Sequence, residues 1–169
     1  MREMDVNNAI AALFLDFSCR KLEGMTDNLR VCLGKLSDAQ IWERHGPHEN
    51  SVGNLVLHLC GNMRQWLIAG VGGALDVRKR DEEFSTEGGM NAEELMRRFT
   101  VTVTEARKVI AGVTVERLTD RITPQNQEVS VLDAIYQVVG HVQQHVGQIV
   151  LLTKQMTGTD LDLTMPRPR

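Results

Sequence analysis

The sequence predicts an all-α domain built as a four-helix bundle, and three observations predict it. Four long segments repeat apolar residues every three to four positions. Alternating apolar and polar runs of the strand type are nearly absent. Only 4 prolines interrupt 169 residues, a length at which one domain buries a substantial core without disulfide staples.

The first helix carries Phe14, Leu22, Met25, Leu29, Cys32 and Leu36 on one stripe. The second opens at ENSVGNLVLHL, where Asn50 or Ser51 can accept from the first free N–H groups. It places Val52, Leu55, Val56, Leu59, Met63 and Trp66 on one face and stops in the glycines at 70–73. The third starts at NAEE, with Asn91 three residues before Glu94, and offers Leu95, Phe99, Val103, Ala106 and Ile110. Ser130 caps the fourth, which runs to Met156 with Gly158 as its stop. Four such faces can close one core.

Residues 71–90 show no clear period, and loops of about that length in compact domains tend to carry function, so they are expected to form a crossover or a lid. Within them RKRDEEF, residues 78–84, reads as solvated surface rather than as an anion site. One domain is expected over 1–158, followed by a short tail at 159–169 whose charge and prolines leave little to bury.

The charge is balanced, 19 Lys+Arg against 22 Asp+Glu, which supplies no electrostatic ground for binding nucleic acid or an anionic membrane. The three cysteines, Cys19, Cys32 and Cys60, are odd in number, lack CxxC spacing and fall in helical patterns, as reduced thiols of a cytoplasmic protein would. The apolar stretch at the N-terminus is too short for a signal peptide, and no run approaches the ~18 residues of a membrane span.

The histidines carry the chemistry. His141 and His145 in HVQQH stand one turn apart, so their side chains stack on one side of the fourth helix. They lie on the shoulder of the stripe of Val131, Val138, Val142, Ile149 and Met156, beside Gln137, Gln144 and Gln148. His58 occupies a similar shoulder on the second helix, between Asn54 and Asn62. Three neutral imidazoles at about 2.0–2.1 Å suit Zn²⁺ and leave a fourth position for water or substrate; Ni²⁺ or Fe²⁺ would also fit. The same residues read equally as partly exposed, hydrogen-bonded histidines, and His45 and His48 read as loop surface.

Rival motifs fail. Val142 stands where the helix of a zinc peptidase has its general-base Glu, the paired Glu-x-x-His of di-iron bundles is missing, and there is no phosphate loop, nucleophile elbow or dinucleotide fingerprint.

In order and spacing, NSVGNLVLHLCGN, RKRDEEF and HVQQHVGQIVLLTKQM resemble the DinB-like, YfiT-type metalloenzyme superfamily, over about residues 6–157. The resemblance implies an antiparallel four-helix bundle with a long crossover between helices two and three, usually a homodimer. It also implies a divalent metal, zinc foremost, with nickel or iron as alternatives, held by His58, His141 and His145. Relatives include S-transferases and an isomerase that use low-molecular-weight thiols, so the implied chemistry is activation of a thiol for transfer to an electrophile. A coordinated thiol is deprotonated and nucleophilic at neutral pH.

On this reading Arg64, Arg78 and Arg80 are candidates to hold the carboxylates of the thiol. Asn62 and Gln148 are candidates to orient imidazoles. Gly53, Gly61, Gly140 and Gly147, costly inside helices, suggest close approach of helices two and four. Trp42, Trp66 and the methionines could face a second copy or the core. Two other functions stay open: a non-catalytic dimeric bundle with a structural or vestigial metal, and a small-molecule binding or sensing protein.

Overall fold

The computed structural model describes residues 3–44 and 46–163, with side chains from residue 6. His45 and the end of the expected tail lie outside the described residues. The fold is all-α, with four long helices and two short ones among the described residues: α1 (Glu3–Leu33), α2 (Asp38–Trp42), α3 (Val52–Met63), α4 (Arg80–Ser85), α5 (Ala92–Ala111) and α6 (Val131–Thr157). A π-helical stretch, Arg64–Val71, continues α3. Between α5 and α6 the chain makes two 3₁₀ turns and a two-residue hairpin, β1 (Arg121–Ile122) against β2 (Val129–Ser130), in antiparallel register with Arg121 opposite Ser130.

The apolar stripes meet in one core. Leu22, Leu29, Leu59, Met63, Leu95, Phe99, Ile135 and Ile149 are fully buried in it, and helices shaped this way owe most of their stability to such packing. Contacts along the helices give their directions. Cys19 meets the Arg107 carbonyl, while Asn8 and Ala111 border one groove, so α1 and α5 are antiparallel. Cys60 meets Thr102 and Gly72 meets Val109, so α3 and α5 run the same way. The long crossover permits this, because two parallel neighbours cannot be joined by a short turn. His58 meets His141, and Gly70 packs on Pro124 just before α6, so α6 runs against α3.

Local chemistry fixes the helix starts. Ser51, rather than Asn50, caps α3: its hydroxyl accepts from Asn54 N–H (3.1 Å) while Asn54 Oδ1 accepts from Ser51 N–H (3.2 Å). Ser130 and Asp133 repeat this box at α6. Asn91 accepts from Glu94 N–H at α5. Gly158 ends α6 at φ 64°, the left-handed conformation glycine adopts without strain.

Three expectations change, and for the tryptophans one of two readings holds. RKRDEEF in the crossover is not all solvated surface: it forms α4, where Asn54, with no exposed surface, donates from Nδ2 to the Glu83 and Thr86 carbonyls (2.9 and 2.7 Å) and so anchors the helix, with Glu83 buried. Arg44 adds bonds to Asn54 Oδ1 and to the Phe84 carbonyl (2.8 and 2.7 Å). The tail turns back, burying Leu161 in the core, because this leucine reaches an apolar surface that a sequence pattern does not display.

The glycines do not bring α3 and α6 together. Gly140 and Gly147 face open space, Gly53 makes room for the Trp42 ring, and Gly61 for Glu83. The tryptophans serve the core: Trp66 is buried, and Trp42 Nε1 donates to the Met90 carbonyl at 2.8 Å.

Candidate metal centre

The turns of α3 bring His58 opposite the middle of α6, where His141 and His145 project from successive turns. One ring nitrogen from each of the three lies within 4.8 Å of the others. The rings sit edge to face, with centroids 4.4–5.2 Å apart and planes at 73–90°. His58 is 7% exposed, and the other two are half-buried.

Hydrogen bonds on the outer ring nitrogens set the tautomers. Glu83 Oε2 is 3.0 Å from His58 Nδ1 and Gln148 Oε1 is 2.6 Å from His145 Nδ1. Arg78 Nη2 also lies 3.2 Å from Nδ1, but it already donates to Glu83, and the carboxylate, which can only accept, is the nearer partner; the His58 proton is therefore assigned to Nδ1, with the Nε2 lone pair toward the other two rings. That is the arrangement by which a carboxylate orients a metal-binding imidazole.

The Nε2 atoms of His58 and His141 are 2.9 Å apart. Two lone pairs at that distance would repel, so a proton or a cation must lie between them. Tetrahedral zinc with Zn–N of about 2.0–2.1 Å would set such nitrogens roughly 3.3 Å apart, a few tenths of an ångström wider. The donor set of three imidazoles fits a divalent ion of that kind.

Glu83 is held from behind. Arg78 Nε donates to Oε1 (2.7 Å) and Nη2 to Oε2 (2.8 Å), with the Arg78 side chain only 2% exposed. Burial alone would raise the Glu83 pKa, but the bonds from Arg78 and His58 outweigh it and hold the carboxyl below its ordinary range. Arg78 Nη1 in turn donates to Gln65 Oε1 (2.9 Å), which also accepts from Gln125 (2.7 Å). Gly61 leaves the space that Glu83 fills: a Cβ there would collide with Oε1.

Burial, then the neighbouring His145, His58 and Arg78 charges, push His141 down to about 4. His145 is also lowered, by burial first, against the opposing bond from Gln148. Both rings are therefore neutral at pH 7, the form that ligates a metal.

The structure places the sequence-derived candidates unequally. His58, His141 and His145 converge, and Gln148 bonds His145 as an orienting group would. Asn62 Oδ1 is buried without a hydrogen-bond partner and so accepts from no imidazole. Arg64 pairs with Glu105 on the surface (3.2 Å). The fork of Arg78 is filled by the chain's own Glu83, and Arg80 lies over the Phe84 ring, 4.9 Å from its centroid. Phe84 in turn packs on His58 at 4.9 Å. His48 is exposed.

Sequence reading missed Glu83 and Arg78 as a buried pair, because both sit in a run of charges whose composition argues for solvent. The one available signal was Gly61, three residues beyond His58 on the same side of α3. All three cysteines are free, with thiol pKa values raised by burial, Cys60 to about 12. They are protonated at neutral pH.

No helix among the described residues is long and apolar enough to cross a membrane. Among solved structures, the chain is similar to a conserved protein from Enterococcus faecalis, with a TM-score of 0.71 and 16% identity over 85% of this chain and 97% of that one. It is also similar to a DinB-like protein from Bacillus cereus, with a TM-score of 0.65 and 14% identity over 82% and 90% of the two chains. Likeness at these identities establishes a DinB-like helical fold. No curated protein matches the chain. Residues 9–169 match the family described as "Protein of unknown function (DUF1572)", and the chain belongs to that family.

Proposed function

We propose that the chain is a divalent-metal-dependent enzyme that activates a low-molecular-weight thiol for transfer to an electrophile. The observation that carries the reading is the convergence of His58, His141 and His145 within 4.8 Å, with Glu83 and Gln148 on the outer nitrogens of two of them. A divalent ion held there, zinc foremost, supplies Lewis acidity that lowers the pKa of a thiol at the open position.

The chain's residues do the rest. Glu83 keeps a proton on His58 Nδ1, so that Nε2 stays a donor of its lone pair. Arg78 neutralises the Glu83 charge and fixes its position. Phe84 covers the His58 ring on the side of α4, and Arg80, stacked on Phe84, offers a guanidinium to a carboxylate of the thiol. With Cys32 and Cys60 buried, Cys19 half-buried and all three thiols protonated, the nucleophile comes from outside.

The test is the metal content of purified protein by elemental analysis, alongside His58→Ala, His141→Ala and His145→Ala. Near-stoichiometric metal lost in each variant, followed by metal-dependent consumption of thiol and electrophile together, is the expected result. A second reading, a structural metal in a non-catalytic bundle, draws on the full commitment of Glu83 to Arg78 and His58, which leaves that carboxylate unable to act as a base. Metal that raises the melting temperature while no thiol is consumed would favour it.

A further inference from the structure

A second site lies on the other side of the Arg78–Glu83 pair from the imidazoles. A groove of about 590 Å³ runs between the α3 continuation, the start of the crossover and α5. That volume is in the range of small-molecule pockets. Its walls reach Arg78 and Glu83 but not the three histidines.

Two kinds of side chain left unsatisfied elsewhere meet in it. The first is cationic. Arg97 and Arg98 are exposed and have no carboxylate partner among the described residues, and Arg64 has only the half-exposed Glu105. Two of the acids along the groove are paired with cations, Glu83 with Arg78 and Glu82 with Lys79 (3.0 Å); Asp76, bonded to the neutral Gln65 Nε2 (2.7 Å) and the Arg78 backbone N–H (3.0 Å), keeps its charge but is outnumbered by Arg97 and Arg98. The uncompensated charge in the groove is therefore positive.

The second is apolar. Leu75, Val77 and Val101, at 84%, 68% and 44% exposure, are among the large hydrophobic residues the fold leaves in water, and all three line this groove. Scattered exposed leucines and valines need no explanation, but Leu75 and Val77 from the crossover and Val101 from α5 line the same groove as the unpaired guanidiniums and form a matched surface with them.

We propose that this groove binds a small amphipathic anion, a carboxylate or phosphate ester with a short apolar chain. The head would lie on Arg97 and Arg98 and the chain against Leu75, Val77 and Val101. Guanidiniums fork onto either head group, and the apolar wall separates such a ligand from a bare inorganic anion. The proposal does not depend on the metal reading, because none of these residues touches an imidazole.

The test is calorimetric titration of the full chain with hexyl phosphate and with hexanoate, using hexanol and hexylammonium as controls. The expected result is saturation at one anion per chain, weakened by salt, with neither control saturating. Both Arg97→Ser/Arg98→Ser and Leu75→Ser/Val101→Ser should weaken it at least about tenfold. All four positions are exposed, so these variants are expected to fold, and circular dichroism checks this. Which of the two anions binds more tightly identifies the head group.

His141→Ala should bind hexyl phosphate as the wild type does while losing metal, so the two sites fail separately. Equal affinity in the arginine double variant, equal binding of hexanol, or no saturation by either anion would overturn the proposal.

Discussion

Glu83 Oε2 lies 3.0 Å from His58 Nδ1 while Arg78 grips the same carboxylate through both of its oxygens. The carboxylate is thus shared between a residue that would bind metal and one that cancels its charge. Its removal should be felt first as lost metal affinity.

Glu83→Gln keeps the shape but loses the charge, and is expected to weaken metal binding roughly 10–100-fold, the usual cost of losing such a partner. Glu83→Ala should in addition destabilise the fold by about 3 kcal/mol, since it strands the buried Arg78 guanidinium. Competition against a chromophoric chelator and urea unfolding measure the two effects. Unchanged metal affinity in Glu83→Gln would remove Glu83 from the site.

Gly61→Ala reverses an ordinary rule. Inside a helix this exchange stabilises by up to about 1 kcal/mol, but here the new methyl would collide with Glu83 Oε1. A net loss of about 1–3 kcal/mol is expected, as in overpacked cores, together with weaker metal binding in a variant that alters no ligand. A stabilised protein with intact metal affinity would show that Glu83 moves aside freely.

The metal-free protein should lose stability as pH falls from about 6.5 to 4. His141 is depressed from 6.5 to about 4 by burial and by its charged neighbours, so in this window the unfolded chain binds a proton that the fold refuses. Above 6.5 the term is flat. Glu83, also depressed, contributes stability above the ordinary carboxylate pKa of 4.5 that is lost only as pH drops through its lower folded value, at the acid end. Denaturant unfolding as a function of pH should show a shallower slope between 6.5 and 4 in His141→Gln, with a residue left by His145. An identical slope would mean that His141 titrates normally in the fold.

Asn54→Ala should cost on the order of 2 kcal/mol, because it leaves the Glu83 carbonyl without its Asn54 donor and the Thr86 carbonyl with only Arg44 Nη2 (3.2 Å). Limited proteolysis should then cut the crossover around 72–91 faster than in the wild type. Protection equal to wild type would mean that Arg44 alone holds α4.

The long helices and the three histidines were legible because periodicity reports a buried face, and a polar residue on the edge of that face stands out. The partners of His58 were not legible by the same logic. Glu83 is one of several acids in RKRDEEF, and its burial follows from Asn54 and Arg44 drawing α4 onto α3, contacts separated by 29–40 residues. Leu161 escaped notice for a related reason: one leucine in a polar tail has no period. Arg78 stands as a candidate for a ligand's carboxylate on sequence alone, since nothing local reveals that its fork is already filled.

The crossover divides the labour of the site. The candidate ligands stand on α3 and α6, two of the long helices that form the core, whereas the carboxylate acting on His58 comes from a short helix pinned by a few hydrogen bonds. The electron-donating strength of the site can therefore be retuned by rewriting some twenty residues of connection, leaving the positions of the nitrogens, and the core beneath them, as they are.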